Sequence, residues 1–126
     1  MKKALIFLCL MAGTLMAQEA KVTPLLSKDL PDLPGKEGRM VIVDYLPGGS
    51  SAVHRHNADV FVYVIEGSVV MQVKGGKQMT LTAGQSFYEA PGDIHLVSKN
   101  ASTTAPAKFV VFFVKDKDAP VSTPVK

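Results

Sequence analysis

The three histidines of this 126-residue chain fall in two short stretches, Gly48-Gly49-Ser50-Ser51-Ala52-Val53-His54-Arg55-His56 and Pro91-Gly92-Asp93-Ile94-His95. Neutral imidazoles suit borderline divalent transition metals, and each offers one ring-nitrogen lone pair. His54 and His56 are two residues apart, so on a β-strand their rings share one face, because side chains alternate with period two. A third ring, following a Pro-Gly turn, would complete a set of three nitrogen donors. A lone strand histidine is more often a surface or hydrogen-bonded core residue, so the expectation of a metal rests on all three rings meeting. Three protein ligands leave the remaining coordination positions to water, substrate or oxygen, which is the arrangement of catalytic rather than structural sites.

Such a site needs strands to carry it. Runs rich in Val, Phe, Thr and Tyr at 39–46, 52–56, 60–65, 68–74, 77–82, 86–89, 94–99 and 108–114 are separated by turn signals such as Pro47-Gly48-Gly49, Glu66-Gly67, Gly75-Gly76 and Ala83-Gly84. No window beyond the N-terminal segment has a helical period. Many short, evenly spaced strands predict an all-β sandwich or barrel. Alternation turns Val60, Val62 and Val64 inward with Met71, as barrel lining and as the wall of an apolar pocket for a small hydrophobic or aromatic ligand. Phe61, Tyr63 and Ile65 then face the other way, towards a second sheet or a partner subunit. Arg55 should point away from the two rings that flank it. Asp93 should close the Pro-Gly turn through its side chain. Glu89 is the candidate for acid–base work beside the histidines.

The ends of the sequence read differently. Residues 1–17 have Lys2 and Lys3 followed by an apolar run, the pattern of a secretory signal cleaved after Ala17. That run is shorter than the ~20 residues needed to cross a bilayer, so no membrane attachment is expected after cleavage and the mature protein should be periplasmic or secreted. Cys9 would leave with the signal, so disulfides and thiolate ligands are excluded from the mature chain. The formal charge falls from +3 to +1, with 12 basic groups against 11 acidic ones. No basic patch remains to support nucleic-acid binding. Residues 18–38 read as an extended arm with a short edge strand near Leu25 and Leu26, 39–114 as the barrel domain, and 115–126 as a tail or edge strand.

With these motifs in place, the chain resembles the cupin superfamily, in particular its small single-domain secreted bacterial members. The family's first motif is Gly, five residues, His-X-His, three or four residues, Glu, six residues, Gly; here Gly48, His54, His56 and Gly67 match. The second is Gly, five residues, Pro-X-Gly, two residues, His, three residues, Asn. Gly84, Gly92 and His95 match it, while Pro91 and Asn100 are each displaced by one. The resemblance implies a double-stranded β-helix (a jelly-roll β-barrel) and a homodimer. It also implies one divalent transition metal, Fe, Zn, Ni, Cu or Mn, on His54, His56 and His95. The motif-one glutamate, usually the fourth ligand, is replaced by Val60. Asp59 is the alternative ligand beside it, but alternation sends it to the opposite face, so the expected site has three histidines and no carboxylate. Glu89, Gln72, Ser98 and Asp59 are the candidates for orienting the ring N–H groups. The implied functions are a metal-dependent enzyme on a small metabolite, dioxygenase-like or a lyase or isomerase, and, alternatively, a non-catalytic module that binds or senses a small ligand or metal.

Overall fold

In-out alternation along much of three long strands gives this chain one continuous apolar face. A computed structural model describes residues 19–126; the expected signal segment lies outside the described residues. Among these, the chain forms ten strands and no helix. They are β1 (Lys21–Asp29), β2 (Lys36–Tyr45), β3 (His54–Arg55), β4 (Ala58–Glu66), β5 (Ser68–Val73), β6 (Met79–Thr82), β7 (Ser86–Glu89), β8 (Ile94–Asn100), β9 (Ala107–Asp116) and β10 (Thr123–Pro124). One sheet has the order β1-β2-β9-β4-β7 and the other β10-β3-β8-β5-β6, with every pairing antiparallel. The arrangement is the expected double-stranded β-helix.

The core lies between the sheets. Val41, Val43 and Tyr45 of β2, Val60, Val62 and Val64 of β4, and Phe109, Val111 and Phe113 of β9 meet Val69, Met71 and Leu81 of the second sheet. Each buried aliphatic or aromatic side chain contributes about 1.5–3 kcal/mol by leaving water. Phe61, Tyr63 and Ile65 alternate out of phase with this set and stand half exposed on the outer face of the first sheet. They do not face the second sheet.

Residues 19–38 are more regular than an arm. β1 is a nine-residue edge strand paired with β2, and β2 itself begins at Lys36. Pro24 lacks an N–H and is accommodated by a register shift between Pro24 and Leu26, as edge strands permit. The last residues cross to the other sheet, where β10 pairs with β3.

Gly67 joins β4 to β5 at φ +72°, and an added Cβ would lie 2.4 Å from the backbone oxygen of Pro106. Both the left-handed backbone and the contact exclude larger residues. Gly67→Ala should therefore cost about 3 kcal/mol or more, read as a lowered urea midpoint with unchanged slope. A loss below about 0.5 kcal/mol would show that this turn relaxes freely.

Candidate metal centre

The three imidazoles converge at one end of the barrel interior. β3 pairs with β8 so that His54 lies directly across from His95, and their ring centroids are 4.9 Å apart. β3 ends at Arg55, so His56 is positioned by the following turn rather than by the strand. Its carbonyl accepts from Gly92 N–H at 3.0 Å, which ties it to the Pro91-Gly92 turn. In that turn Gly92 has φ +81°, Asp93 N–H donates to the Ala90 carbonyl at 3.1 Å, and Ala90 N–H donates to Asp93 Oδ2 at 2.9 Å. Asp93 closes the turn as its position predicts, and His95 follows immediately.

Backbone carbonyls set the tautomers. His54 Nδ1 donates to the Ala52 carbonyl at 2.7 Å and His56 Nδ1 to the Val121 carbonyl at 2.6 Å. A carbonyl only accepts, so both protons sit on Nδ1 and both Nε2 atoms carry lone pairs. Those two Nε2 atoms are 3.0 Å apart. Two facing lone pairs at that separation repel in neutral rings, and a shared cation removes the conflict. Two nitrogens bound at ~2.1 Å and a right angle on one ion stand ~3.0 Å apart. One nitrogen from each of the three histidines fits within a 4.8 Å cluster, and neither ring nitrogen of buried His95 has a hydrogen-bond partner. The donor set therefore fits a divalent transition metal.

Burial favours the neutral form of His56 and His95. Burial pushes the His95 pKa down to about 3, with smaller contributions from His54 and His56. His56 is also lowered by burial, partly offset by its bond to the Val121 carbonyl. Glu89 is almost fully buried beside them, and burial, then Asp93, raises its carboxyl to about 7. Its Oε1 lies 3.2 Å from His95 Nδ1 without forming a hydrogen bond, and its Oε2 lies 4.0 Å from His56 Nε2.

This burial predicts a specific pH response in metal-free protein. Below pH 4.5 the Glu89 carboxyl is protonated in both folded and unfolded chains. As pH rises from 4.5 through about 7 the unfolded chain ionises first, so the folded state progressively loses stability. The cost reaches about 3 kcal/mol above pH 7. Glu89→Gln has no such loss, so its stability relative to wild type should rise by that amount between pH 4.5 and 8. A difference that stays flat across this range would contradict the buried carboxyl.

Several sequence expectations about supporting groups are corrected. Asp59 faces outward and its Oδ1 accepts from the Tyr88 hydroxyl at 2.6 Å, so it is neither a ligand nor a ring orienter. Ser98 instead shares a buried hydroxyl network with Tyr45 and Ser51, and the Gln72 amide donates to the Gly76 carbonyl. The carbonyls of Ala52 and Val121 do the orienting, which residue types cannot signal. Asn100 clasps the loops on either side, donating to the carbonyls of Leu46 and Ala105 and accepting from Ser102 N–H. Arg55 is not among the residues lining the cavity.

The rings open onto a cavity of about 380 Å³. Val60, Val62 and Met71 line it with Val41, Phe109 and Val111. Val64, expected in that wall, is fully buried in the core beyond it. Two features were not anticipated. Glu19, Ala20 and Val22 at the start of the described chain and Val121, Ser122 and Pro124 near its end also line the cavity. No Lys or Arg does.

A family model described as a cupin domain matches residues 41–113. No curated protein matches the chain. Among solved structures, a double-stranded β-helix protein from Klebsiella pneumoniae subsp. pneumoniae is 22% identical over 86% of this chain and 85% of its own, with a TM-score of 0.66. An oxalate oxidase in complex with the substrate analogue glycolate is 27% identical, with 84% of this chain covered and a TM-score of 0.64. The DMSP lyase DddQ from Ruegeria pomeroyi is 16% identical over 70% of this chain, with a TM-score of 0.62. The chain covers 55% of the oxidase and 43% of the lyase.

Proposed function

The chain belongs to the cupin family, and we propose that it is an exported enzyme whose His54, His56 and His95 hold one divalent Fe, Zn, Ni, Cu or Mn ion against a small, largely apolar substrate. The observation that carries this reading is the convergence of three imidazoles, two of them oriented by backbone carbonyls, on the wall of a largely apolar cavity. The bound ion would supply a Lewis acid, or a redox centre if it is Fe, with positions left for substrate. The protein's own contribution is to fix the rings, exclude water with the valine and phenylalanine wall, and present Glu89 as the acid–base group beside the ion. A cavity without Lys or Arg suits neutral ligands, or ligands whose one anionic group goes to the ion. The supported reaction classes are dioxygenase-like oxidation and lyase or isomerase chemistry.

The second reading, a non-catalytic periplasmic or secreted binding or sensing module, is favoured by the Tyr45 hydroxyl. It is held by Ser51 at 2.6 Å and Ser98 at 2.8 Å, so a hydroxyl on the cavity wall is fixed as a binding contact rather than left beside the histidines as a second acid–base group. Untagged protein isolated from its native compartment should contain about one transition metal per chain by mass spectrometry and turn over a small apolar metabolite. Metal-free protein would sink the enzyme reading, whereas tight ligand binding without turnover would select the second.

We further propose a homodimer paired through the outer face of the first sheet. There Phe61 and Tyr88 lie with ring centroids 5.2 Å apart and remain half exposed beside Tyr63 and Ile65. Phe61→Glu should convert a sedimenting dimer to monomer; a wild-type monomer would dismiss the pairing.

A further inference from the structure

The two chain segments that carry His54 and His95 bring a second pair of polar side chains into the barrel. Ahead of β3 the chain stays beside β8: Ser51 N–H donates to the Ser98 carbonyl at 2.9 Å, Asn100 N–H donates to the Gly49 carbonyl at 2.9 Å, and Ser50 bridges to Lys99. Ser51 thus faces Ser98 in the register in which His54 faces His95. Residues an odd number apart on a regular strand point to opposite faces, so an unbroken β8 could not turn both His95 and Ser98 inward. Its pairing with β5 slips between Gln72 and Val73, which meet Val97 and His95 and leave Leu96 without a counterpart. That irregularity re-aims the strand, and His95 and Ser98 are both buried, at 4% and 5% exposure.

Tyr45, the last residue of β2, completes the group. Its hydroxyl lies 2.6 Å from Ser51 Oγ, 2.8 Å from Ser98 Oγ and 3.2 Å from the Ser98 carbonyl. A buried phenol is satisfied by one partner; three oxygens gathered round it exceed that need. The phenol has a single proton to give. Where that proton goes to Ser51, the Ser51 proton is left to point elsewhere; where Ser51 donates instead, its lone pairs stay open. Ser51 Oγ makes no other hydrogen bond among the described residues, is only half-buried, and lines the cavity with Tyr45, Ser98 and the three imidazoles. Burial raises the Tyr45 pKa, with its bonds to the two serines offsetting part of the rise, so the group is uncharged.

We propose that Tyr45, Ser51 and Ser98 form a second polar subsite of the cavity, which receives an uncharged hydroxyl or carbonyl oxygen of the ligand through Ser51 Oγ. The inference rests on the metal-site reading above and narrows its ligand class. The ligand has two oxygen functions joined by a short apolar stretch, one bound at the histidines and a neutral one at the hydroxyls. A serine that can donate or accept suits either a hydroxyl or a carbonyl. It offers no cation to a second carboxylate or a phosphate, and no Lys or Arg lines the cavity to supply one. A site built to hydrogen-bond a ligand oxygen discriminates against the analogue lacking it, because its own polar group is then buried unpaired.

The test is calorimetric titration of the Zn(II)-loaded protein with three hydroxy acids, 4-hydroxybutanoate, 5-hydroxypentanoate and 6-hydroxyhexanoate. Each is compared with the alkanoate that has a methyl in place of its hydroxyl, namely pentanoate, hexanoate and heptanoate. At least one hydroxy acid should bind about tenfold or more tightly than its methyl counterpart. Ser51→Ala, a change at a half-buried position, should remove that preference while the alkanoates keep their affinity. Tyr45→Phe should reduce it, because Ser51 loses the partner that aims it. A network that merely satisfies the buried phenol would cost these variants stability and leave the ratio within each pair unmoved. Equal affinity within all three pairs, or a preference that survives Ser51→Ala, would overturn the subsite and leave the metal-site reading standing. So would Zn(II)-loaded protein that binds none of the six acids. Wild type that takes up no Zn(II) would overturn both.

Discussion

Replacing His95 by Ala is expected to abolish transition-metal binding while leaving both sheets folded. His95 is the donor most committed to the interior: it is 4% exposed, its ring is held neutral down to about pH 3, and neither nitrogen has another partner. A site worth roughly 10–16 kcal/mol in total loses about a third of that with one of three imidazoles, which is roughly 300- to 8,000-fold in affinity. The metal-free protein should lose only about 1 kcal/mol or less. The packing given up is offset by the removal of two buried polar atoms without partners. Metal content after dialysis against limiting Zn(II), with a melting curve with and without the ion, measures both quantities. Wild-type metal content in the variant would locate the ion elsewhere.

Deleting residues 120–126 is the second large effect. The deletion removes β10 and, with it, the Val121 carbonyl that receives the His56 Nδ1 proton at 2.6 Å. Without that acceptor the proton can move to Nε2, and the ring can turn away from its neighbours. Loss of such an orienting partner typically costs ~10–100-fold in metal affinity. Val121→Ala retains the carbonyl and should bind metal as wild type does, which separates the backbone bond from the packing of the valine. Truncated protein that is folded and binds with full strength would show that the turn at Pro91-Gly92 orients His56 unaided.

The architecture was legible because it depends on local pattern. Alternating valines and punctuating glycines specify strands and turns, and the inward set Val60, Val62 and Val64 follows from period two alone. The outward placement of Asp59 was legible for the same reason, whereas the meeting of the three histidines was expected from the two motifs and is delivered by the β3–β8 ladder and the turn that carries His56. What could not be read depends on which strands become neighbours. The ladder partner of Val60 is Glu89, 29 positions later, and only the β4–β7 register reveals it. The orienters of His54 and His56 are main-chain oxygens, which every residue carries. The same blindness hid the stretches near residues 20 and 121, whose exposed, Pro-containing composition conceals that they border the cavity.

The sequence separation of these partners dictates the order of events during assembly. His54 meets His95 across β3 and β8, and β10 reaches β3 from almost 70 positions away. A zinc finger gathers nearby ligands and lets the ion drive folding. A cation held by these three rings could not act as a nucleus, because they are brought together only after distant strands have zipped. Non-local sheets of this kind form in milliseconds to seconds, and loading must follow as a separate, later step. Refolding rates should accordingly be indifferent to added metal, with only unfolding slowed.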